Sequence, residues 1–258
     1  MSPPFVAMHR ISKTFGAVRA LRRVDFEVAH AEIVGLVGDN AAGKSTLMKV
    51  LTGIHTPDDG EIVLDGRPVR FASPMEARAA GIEMVYQDFA LVPELSVTQN
   101  IFLGREVTRG FLGFRLLDQQ AMAKQASELF GGLGLRVPPI DTPVRALSGG
   151  QQQAVAVARA TAFDAKLVIM DEPTANLGAT AIAKVRETIG RLKAHGVAVI
   201  LISHRLEDVF TTADRVVVMK HGHIVGTRPV ADTVADEVLH MIVAGTDPRR
   251  PGPPQASA

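Results

Sequence analysis

The chain has 258 residues, a length that can bury a substantial core in one large domain or two smaller ones. Its 28 Lys and Arg residues nearly balance its 27 Asp and Glu residues, which excludes the broad basic surface of a protein whose main partner is nucleic acid. Cysteine is absent, so disulfides and thiolate metal sites are excluded, and a reducing compartment fits the composition.

The first part of the chain predicts an antiparallel sheet and then a strand, a loop and a helix. Apolar residues at 5–8 and 24–28 favour two antiparallel strands, with a turn at 14–16. A buried strand at 32–37 and a helix at 44–52 then flank a loop that fits the pattern G-x-x-x-x-G-K-[ST]. This strand, loop and helix order is the context that a phosphate-binding loop requires.

A loop of this kind binds phosphate for a simple reason. Its glycines let backbone N–H groups point inward, its lysine adds a positive charge for the β and γ phosphates, and its hydroxyl can bind Mg²⁺. We therefore expect a magnesium nucleotide here. The residues of this phosphate loop are Gly38, Asp39, Asn40, Ala41, Ala42, Gly43, Lys44, Ser45 and Thr46.

The middle of the chain changes from strands to helices. After a strand at 61–66, Ser73 is the expected N-cap of a short helix and Pro74 occupies its first position. A strand at 82–86 follows, and residues 88–166 are then largely helical. Helices are expected at 96–103, 118–130 and 148–163. This pattern indicates a helical lobe inserted into the fold.

The last third of the chain alternates short apolar strands with helices, which is typical of a parallel α/β sheet. The expected elements are strands at 167–171, 197–203 and 215–220, and helices at 179–194 and 206–211. We expect one domain over residues 1–247, with the helical subdomain at about 88–165. Residues 248–258 are rich in proline and are expected to form a disordered tail.

Polar residues follow several predicted strands, at the edge where open parallel sheets bind their ligands. Asp171 is expected to hold Mg²⁺ directly or through water, and Glu172 to be the general base that orients a water toward the γ-phosphate. His204 can contact the γ-phosphate, and the amide of Gln87 can reach metal or water. Taken alone, these residues are also compatible with a solvated acidic turn, a structural histidine and a surface glutamine.

A second anion site is expected at the start of the helix after residue 147. Ser148 is a good N-cap, and the amides that follow it are free to bind an anion. Gly149 and Gly150 stand before Gln151, although glycine costs a helix about 1 kcal/mol relative to alanine. Either this is an ordinary capped start, or the glycines allow a ligand to approach the backbone closely.

Together these motifs resemble those of the ATP-binding subunit of an ABC transporter. The likeness runs from about residue 5 to 245, with the phosphate loop, Gln87, residues 147–151, Asp171 with Glu172, and His204 in the family's order. It implies an α/β fold: a P-loop NTPase core of the ABC ATPase type, with an N-terminal antiparallel β subdomain and an inserted α-helical subdomain. Segments 73–77, 81–87 and 100–106 resemble single-domain ATPases of monosaccharide importers of the ribose, xylose or fructose type.

The resemblance implies a head-to-tail homodimer in which Ser148, Gly149 and Gly150 of one subunit cover ATP on the phosphate loop of the other. The residues agree, because a chain with one phosphate loop and one second anion site closes two ATP sites when a two-fold axis pairs two copies. By the same resemblance Phe15 stacks on adenine, although alone it is an aromatic residue near a turn. The helical lobe would receive a cytoplasmic helix of a membrane permease.

We therefore expect a transport-coupled ATPase that binds ATP and Mg²⁺ and powers a sugar importer through dimer closure. Its expected partners are an integral-membrane permease, a second copy of the chain and, indirectly, a sugar-binding protein, with no nucleic acid. No apolar run approaches the roughly 20 residues of a spanning helix, so we expect a peripheral location at the cytoplasmic face of the inner membrane. The sequence does not define the sugar, because the permease and the binding protein would select it.

Two departures from the family pattern keep alternatives open. Ala41 stands where glycine is usual, and Gly178 replaces an aspartate that many members use to link the two ATP sites. The coupling of the sites is therefore open, and an ATP-binding regulatory module with weak hydrolysis is one alternative. A non-transport ABC ATPase is another, although such proteins generally carry long insertions or a second cassette. A P-loop kinase or GTPase leaves residues 147–151 unexplained.

Overall fold

The structure, a computed structural model of the chain, describes residues 3–85, 91–111, 114–135, 138–175 and 177–249. The strands of this part of the chain are β1 (Val6–Phe15), β2 (Val18–Val28), β3 (Ile33–Val37), β4 (Asp59–Leu64), β5 (Arg67–Val69), β6 (Ile82–Val85), β7 (Thr108–Phe111), β8 (Phe114–Leu117), β9 (Leu167–Asp171), β10 (Ala198–Ile202), β11 (Arg215–Lys220) and β12 (His223–Pro229). The α-helices are α1 (Lys44–Leu51), α2 (Pro74–Ala79), α3 (Val97–Phe102), α4 (Gln119–Gly132), α5 (Gly149–Thr161), α6 (Ala179–Ala194), α7 (Leu206–Thr212) and α8 (Ala235–Ala244). None of these described helices has the length and apolar character needed to cross a membrane.

A sheet with the strand order β12-β11-β3-β10-β9-β6 carries the residues of interest. Strands β11, β3, β10, β9 and β6 run parallel, and β12 pairs antiparallel with β11. Both faces of this sheet are covered, so β3 and β10 are buried throughout and read as continuous apolar runs. Because the carboxyl ends of parallel strands meet at one edge, the phosphate loop, Glu172 and His204 emerge side by side.

A second, antiparallel sheet with the order β2-β1-β4-β5 matches the predicted N-terminal β subdomain. Its first two strands are longer than the predicted 5–8 and 24–28, because register shifts between Met8 and Thr14 let the pairing continue almost to the turn. Leu47 of α1 is buried in the same cluster as Met8. The helix that follows the phosphate loop is therefore packed between the two sheets.

Helices α3, α4 and α5 form the predicted helical lobe and share a buried cluster that includes Ile101, Phe130 and Val155. Their bounds differ from the predicted ones by one or two residues, a normal uncertainty at helix ends. The β7–β8 hairpin in this lobe was not predicted. Its strands are only four residues long, too short to show a clear alternation of apolar and polar residues. Residues 86–90 lie outside the described part of the chain.

The sequence pattern also failed to predict β12 and α8, which complete the sheet. His221 with φ 47° and Gly222 with φ 78° turn β11 into β12, and left-handed residues at both central positions are typical of a tight hairpin. Helix α8 then buries Val238 and Met241 in a cluster that includes Val216 of β11. The edge of the sheet next to the phosphate loop is therefore supported by residues beyond the last predicted strand.

Glutamate side chains hold the segment before α2 and the last described residue. Ser73 occupies the predicted N-cap position of α2 and Pro74 follows it in the first turn, although the Ser73 side chain makes no capping hydrogen bond. The Glu76 carboxylate instead accepts from the amide of Ala72 at 2.8 Å. Within the expected tail, Arg249 Nε lies 2.7 Å from Glu237 Oε1, whereas residues 250–258 are outside the described residues.

Candidate active site

The phosphate loop has a backbone conformation that depends on its two glycines. Gly38 has φ 150°, and a Cβ there would lie 2.1 Å from the carbonyl oxygen of Met219. Gly43 has φ 107°, and its Cβ would lie 2.8 Å from the carbonyl oxygen of Ala20. Ala41 has φ 64°, a left-handed conformation that costs a non-glycine residue about 1–2 kcal/mol. The loop is therefore a close-packed, strained turn directly before a helix, as an anion cradle requires.

Lys44 folds back over this loop. Its Nζ donates hydrogen bonds to the carbonyl oxygens of Gly38 at 2.6 Å and Asp39 at 2.9 Å. Burial lowers the pKa of Lys44, whereas the charges of Glu172 and Asp171 act to raise it. The ammonium group therefore lies between its own loop and the carboxylates after β9, where it can meet nucleotide phosphates. The other predicted loop residues are Asn40 (exposed), Ala42 (buried) and Thr46 (half-buried).

Ser45 and Asp171 are the predicted ligands of Mg²⁺ within the described residues. Ser45 is exposed in the first turn of α1, and Asp171 ends β9. Burial raises the pKa of Asp171, as does the charge of Glu172, whereas Lys44 acts to lower it. In the described ranges, no group of three or more His, Cys, Asp or Glu side chains can hold a metal ion. One hydroxyl and one carboxylate beside a phosphate cradle fit Mg²⁺, which takes its remaining ligands from phosphates and water.

Glu172 and His204 meet at the sheet edge, where Glu172 Oε2 lies 2.7 Å from His204 Nδ1. Glu172 has φ 53°, and its amide donates to the carbonyl oxygen of Ile202 at 2.9 Å. The side chain of Glu172 is 16% exposed and that of His204 is 67% exposed, so the imidazole faces solvent. A carboxylate held in this way can accept a proton from water, and the imidazole can orient it. Gln87, also expected at this edge, lies outside the described residues.

The start of α5 is a capped and exposed helix N-terminus. The Ser148 hydroxyl accepts from the amide of Gln151 at 3.4 Å, and Gln151 Oε1 accepts from the amide of Ser148 at 2.9 Å. Gly149 and Gly150 are exposed, and a Cβ on either would meet no described atom within 4 Å. Among the described residues, no hydrogen bond or ion pair joins this helix start to the phosphate loop.

Phe15 lies on an aromatic corner at the end of β1. Its side chain is 42% exposed, and its ring centroid lies 5.0 Å from that of His55 with the planes at 66°. Asp58 anchors this corner by accepting from Lys13 Nζ and from the amide of Thr14, each at 2.7 Å. The hydrogen bond from Lys13 lowers the pKa of Asp58. An exposed aromatic ring on an anchored backbone is suited to stacking against a flat base.

Buried polar contacts behind the sheet edge were missed by the sequence analysis. Gln153 of α5 donates from Nε2 to the carbonyl oxygen of Pro173 at 2.6 Å. Thr174 donates from Oγ1 to Asp208 Oδ2 at 2.6 Å, and Arg186 Nη2 donates to Asp208 Oδ1 at 2.7 Å. A polar residue on the apolar face of α5 was the available signal for Gln153. The contact between Thr174 and Asp208 joins residues 34 positions apart and leaves no periodic pattern in the sequence.

Comparison with known proteins identifies the family. The profile that describes ABC transporters matches residues 21–175, which is more than half of the chain. This chain belongs to the ABC transporter family. The matched region includes the phosphate loop, the start of α5 and the end of β9. The match confirms the predicted class, a nucleotide-binding, transport-coupled ATPase, and it contradicts a P-loop kinase or GTPase.

Several relatives match most of the chain. The fructose import ATP-binding protein of Rhizobium meliloti is 47% identical over 255 residues, which cover 95% of this chain and 96% of that protein. The xylose/arabinose import ATP-binding protein of Sulfolobus acidocaldarius is 43% identical, with 91% and 92% covered. The ribose import ATP-binding protein of Burkholderia mallei is 46% identical over 92% of this chain, which spans only 46% of that protein. These matches favour a transport ATPase over a non-transport one.

Solved structures confirm the predicted fold class. An ATP-binding cassette of an ABC transporter in its ADP conformation superposes with a TM-score of 0.78 at 25% identity, and the match covers 96% of each chain. The cbiO1 protein of Clostridium perfringens, part of an ABC transporter complex, superposes with a TM-score of 0.77 at 25% identity, with 95% of this chain and 96% of that chain covered. The architecture of this chain is therefore that of an ABC ATPase cassette.

Proposed function

We propose that the chain is the ATP-hydrolysing subunit of a sugar importer, bound to an integral-membrane permease at the cytoplasmic face of the membrane. The observation that carries this proposal is the near full-length match, at 47% and 43% identity, to proteins named for import of fructose and of xylose or arabinose. ATP is the proposed substrate and Mg²⁺ its metal. The permease and a separate sugar-binding protein would select the sugar, because the site described here is built for phosphate.

The proposed site divides its work among residues of the phosphate loop and of the sheet edge. Lys44 and the loop amides bind the β and γ phosphates, while Ser45 and Asp171 hold Mg²⁺. When bound, the metal would neutralise charge on the phosphates during transfer. Glu172 accepts the proton of the attacking water, and His204 orients that carboxylate through the 2.7 Å contact. This chain thus supplies the positioning groups and the base for hydrolysis.

Two further residues complete the proposed nucleotide site. Phe15 stacks on adenine, a role supported by its 42% exposure and by the anchoring of its strand through Asp58. Gln87, which lies outside the described residues, keeps its proposed role as a ligand of Mg²⁺ and of the attacking water.

We also propose that two copies close head to tail, so that Ser148, Gly149, Gly150 and Gln151 of one copy cover the ATP of the other. The exposed start of α5 supports this arrangement, because neither glycine there has a described neighbour that would exclude a side chain. A two-fold axis would then form two ATP sites from two identical chains. Gly178, the N-cap of α6, has no side chain and so would not supply the link between the two sites that an aspartate supplies in many members of the family.

Reconstitution tests this function. The chain and its permease are incorporated into liposomes with the sugar-binding protein, and ATP hydrolysis and uptake of fructose, xylose and ribose are measured. We expect Mg-ATP to drive hydrolysis and uptake of one of these sugars, and Glu172→Gln to abolish both. The control is Glu61→Gln, which changes an exposed glutamate of β4, outside the helical lobe, and should behave as wild type. Nucleotide binding without hydrolysis or uptake by the wild-type complex would instead favour the regulatory module.

A further inference from the structure

A buried carboxylate lies behind the contact between Glu172 and His204. Asp208 is the third residue of α7, and its side chain is 1% exposed. One of its oxygens accepts from the Thr174 hydroxyl at 2.6 Å, and the other accepts from Arg186 Nη2 at 2.7 Å and Nε at 3.2 Å. Both oxygens of this carboxylate are therefore engaged by residues from other elements.

The partners of Asp208 stand next to the proposed reacting groups along the chain. Thr174 follows Glu172 by two residues, on the loop after β9. Arg205 directly follows His204, and its Nε lies 3.8 Å from Asp208 Oδ2. Asp208 thus contacts both loops whose side chains meet at the sheet edge.

We propose that Asp208 is a positioning residue for ATP hydrolysis. Through Thr174 and Arg205 it holds the loop after β9 against the loop after β10, and it thereby sets the distance between Glu172 and His204. This inference rests on the proposed function, in which Glu172 is the base. Asp208 is not expected to touch the nucleotide.

The geometry explains why such support is needed. Glu172 has a left-handed backbone that the surrounding contacts must hold, and His204 is largely exposed, so burial does not fix the imidazole. A displacement of about 1 Å in a reacting group can lower a rate by about 100-fold. A buried ion pair is often no better for stability than apolar residues of the same volume, so the pair of Asp208 with Arg186 fits a role in orientation.

Removal of a single hydroxyl tests this role with little change in shape. In Thr174→Val we expect kcat for ATP hydrolysis to fall by about 10- to 100-fold, because the loop that carries Glu172 loses its tie to Asp208. Nucleotide affinity should stay within about twofold, since the phosphate loop is untouched. Thr174→Ser keeps the hydroxyl and should restore the rate. The matched control is Thr188→Val, which removes a buried hydroxyl that donates only within α6, to Lys184 O at 2.8 Å, and should leave kcat unchanged.

A second mutation separates positioning from general stability. In a His204→Ala background the distance that Asp208 sets no longer matters, so Thr174→Val should lower kcat further by no more than about twofold. The inference is overturned if kcat of the double variant falls by the full product of the two single-variant losses. It is also overturned if Thr188→Val lowers kcat as much as Thr174→Val does.

A measurement that needs no turnover distinguishes failure of the inference from failure of the proposed function. The imidazole ¹⁵N resonances of His204 report its contact with Glu172, and Glu172→Gln supplies the signal of the altered contact. We expect Thr174→Val to move the Nδ1 resonance toward that of Glu172→Gln, and Thr188→Val to leave it in place. An unmoved resonance in Thr174→Val contradicts the positioning role even if the chain hydrolyses ATP, whereas a moved resonance in a chain without hydrolysis contradicts only the proposed function.

Discussion

Replacement of Gly150 by alanine tests the stability and ATP binding of one copy separately from the closing of two copies around ATP. The new Cβ would meet no described atom within 4 Å, in the exposed first turn of α5. Alanine favours a helix over glycine by up to about 1 kcal/mol. In a domain of this size, 1 kcal/mol corresponds to about 2–4 °C in melting temperature. The isolated chain should therefore be as stable as wild type or slightly more stable, and it should bind ATP normally.

The same methyl group should harm the closed dimer. If the start of α5 packs against the nucleotide of a second copy, an added methyl overpacks that contact by about 1–3 kcal/mol, a roughly 5- to 150-fold loss. We expect the ATPase rate, measured with the permease at saturating Mg-ATP, to fall by this factor while the melting temperature does not fall. Gly190→Ala is the control, because Gly190 also has no described neighbour within 4 Å and lies in α6, outside the helical lobe. A wild-type rate in Gly150→Ala would refute the composite site.

Three other predictions concern the single-copy site. Lys44→Ala should weaken nucleotide binding by at least about tenfold in a fluorescent-ATP titration. The control, Lys184→Ala on α6, should bind ATP as wild type does. Normal affinity in Lys44→Ala would contradict the assignment of the phosphate loop as the nucleotide site. Glu172→Gln should bind Mg-ATP normally but hydrolyse it about 10²- to 10⁴-fold more slowly, and an unaltered rate would exclude Glu172 as the base. The hydrogen bond from Lys13 is the main cause of the lowered pKa of Asp58. The ionised Asp58 side chain therefore stabilises the fold above its ordinary pKa, and this stabilisation is lost as the pH falls through the lowered pKa. The difference in melting temperature between wild type and Asp58→Asn should therefore shrink on acidification, and a difference that grew would contradict this sign.

The parts of the site that follow a single strand could be predicted from the sequence. The phosphate loop, Glu172 and His204 each follow the end of an apolar run, and parallel strands bring such ends to one edge of the sheet. The contact of 2.7 Å between Glu172 and His204 is a consequence of this topology, since β9 and β10 are neighbours. The pattern of apolar residues therefore predicted the edge, although it gave no distances.

Features that depend on distant residues escaped prediction. The Met219 carbonyl of β11 lies where a Cβ on Gly38 would stand. Gly222, in the turn of the β11–β12 hairpin that the pattern did not predict, donates from its amide to the carbonyl oxygen of Ala42 at 2.9 Å. The contact between Thr174 and Asp208 depends on how two loops and α7 pack. Ser73 occupies the N-cap position that its residue type predicted, but its side chain makes no capping hydrogen bond. Residue type and spacing predict elements, whereas packing decides which side chains meet.

The most direct test of the proposed function is the oligomeric state of the Glu172→Gln chain in excess Mg-ATP, measured by sedimentation both alone and with the permease. We expect a dimer that contains two ATP molecules and dissociates when the nucleotide is removed, and we expect addition of Lys44→Ala to prevent its formation. A chain that binds Mg-ATP yet stays strictly monomeric, both alone and beside the permease, would contradict the proposal that two copies enclose the nucleotide.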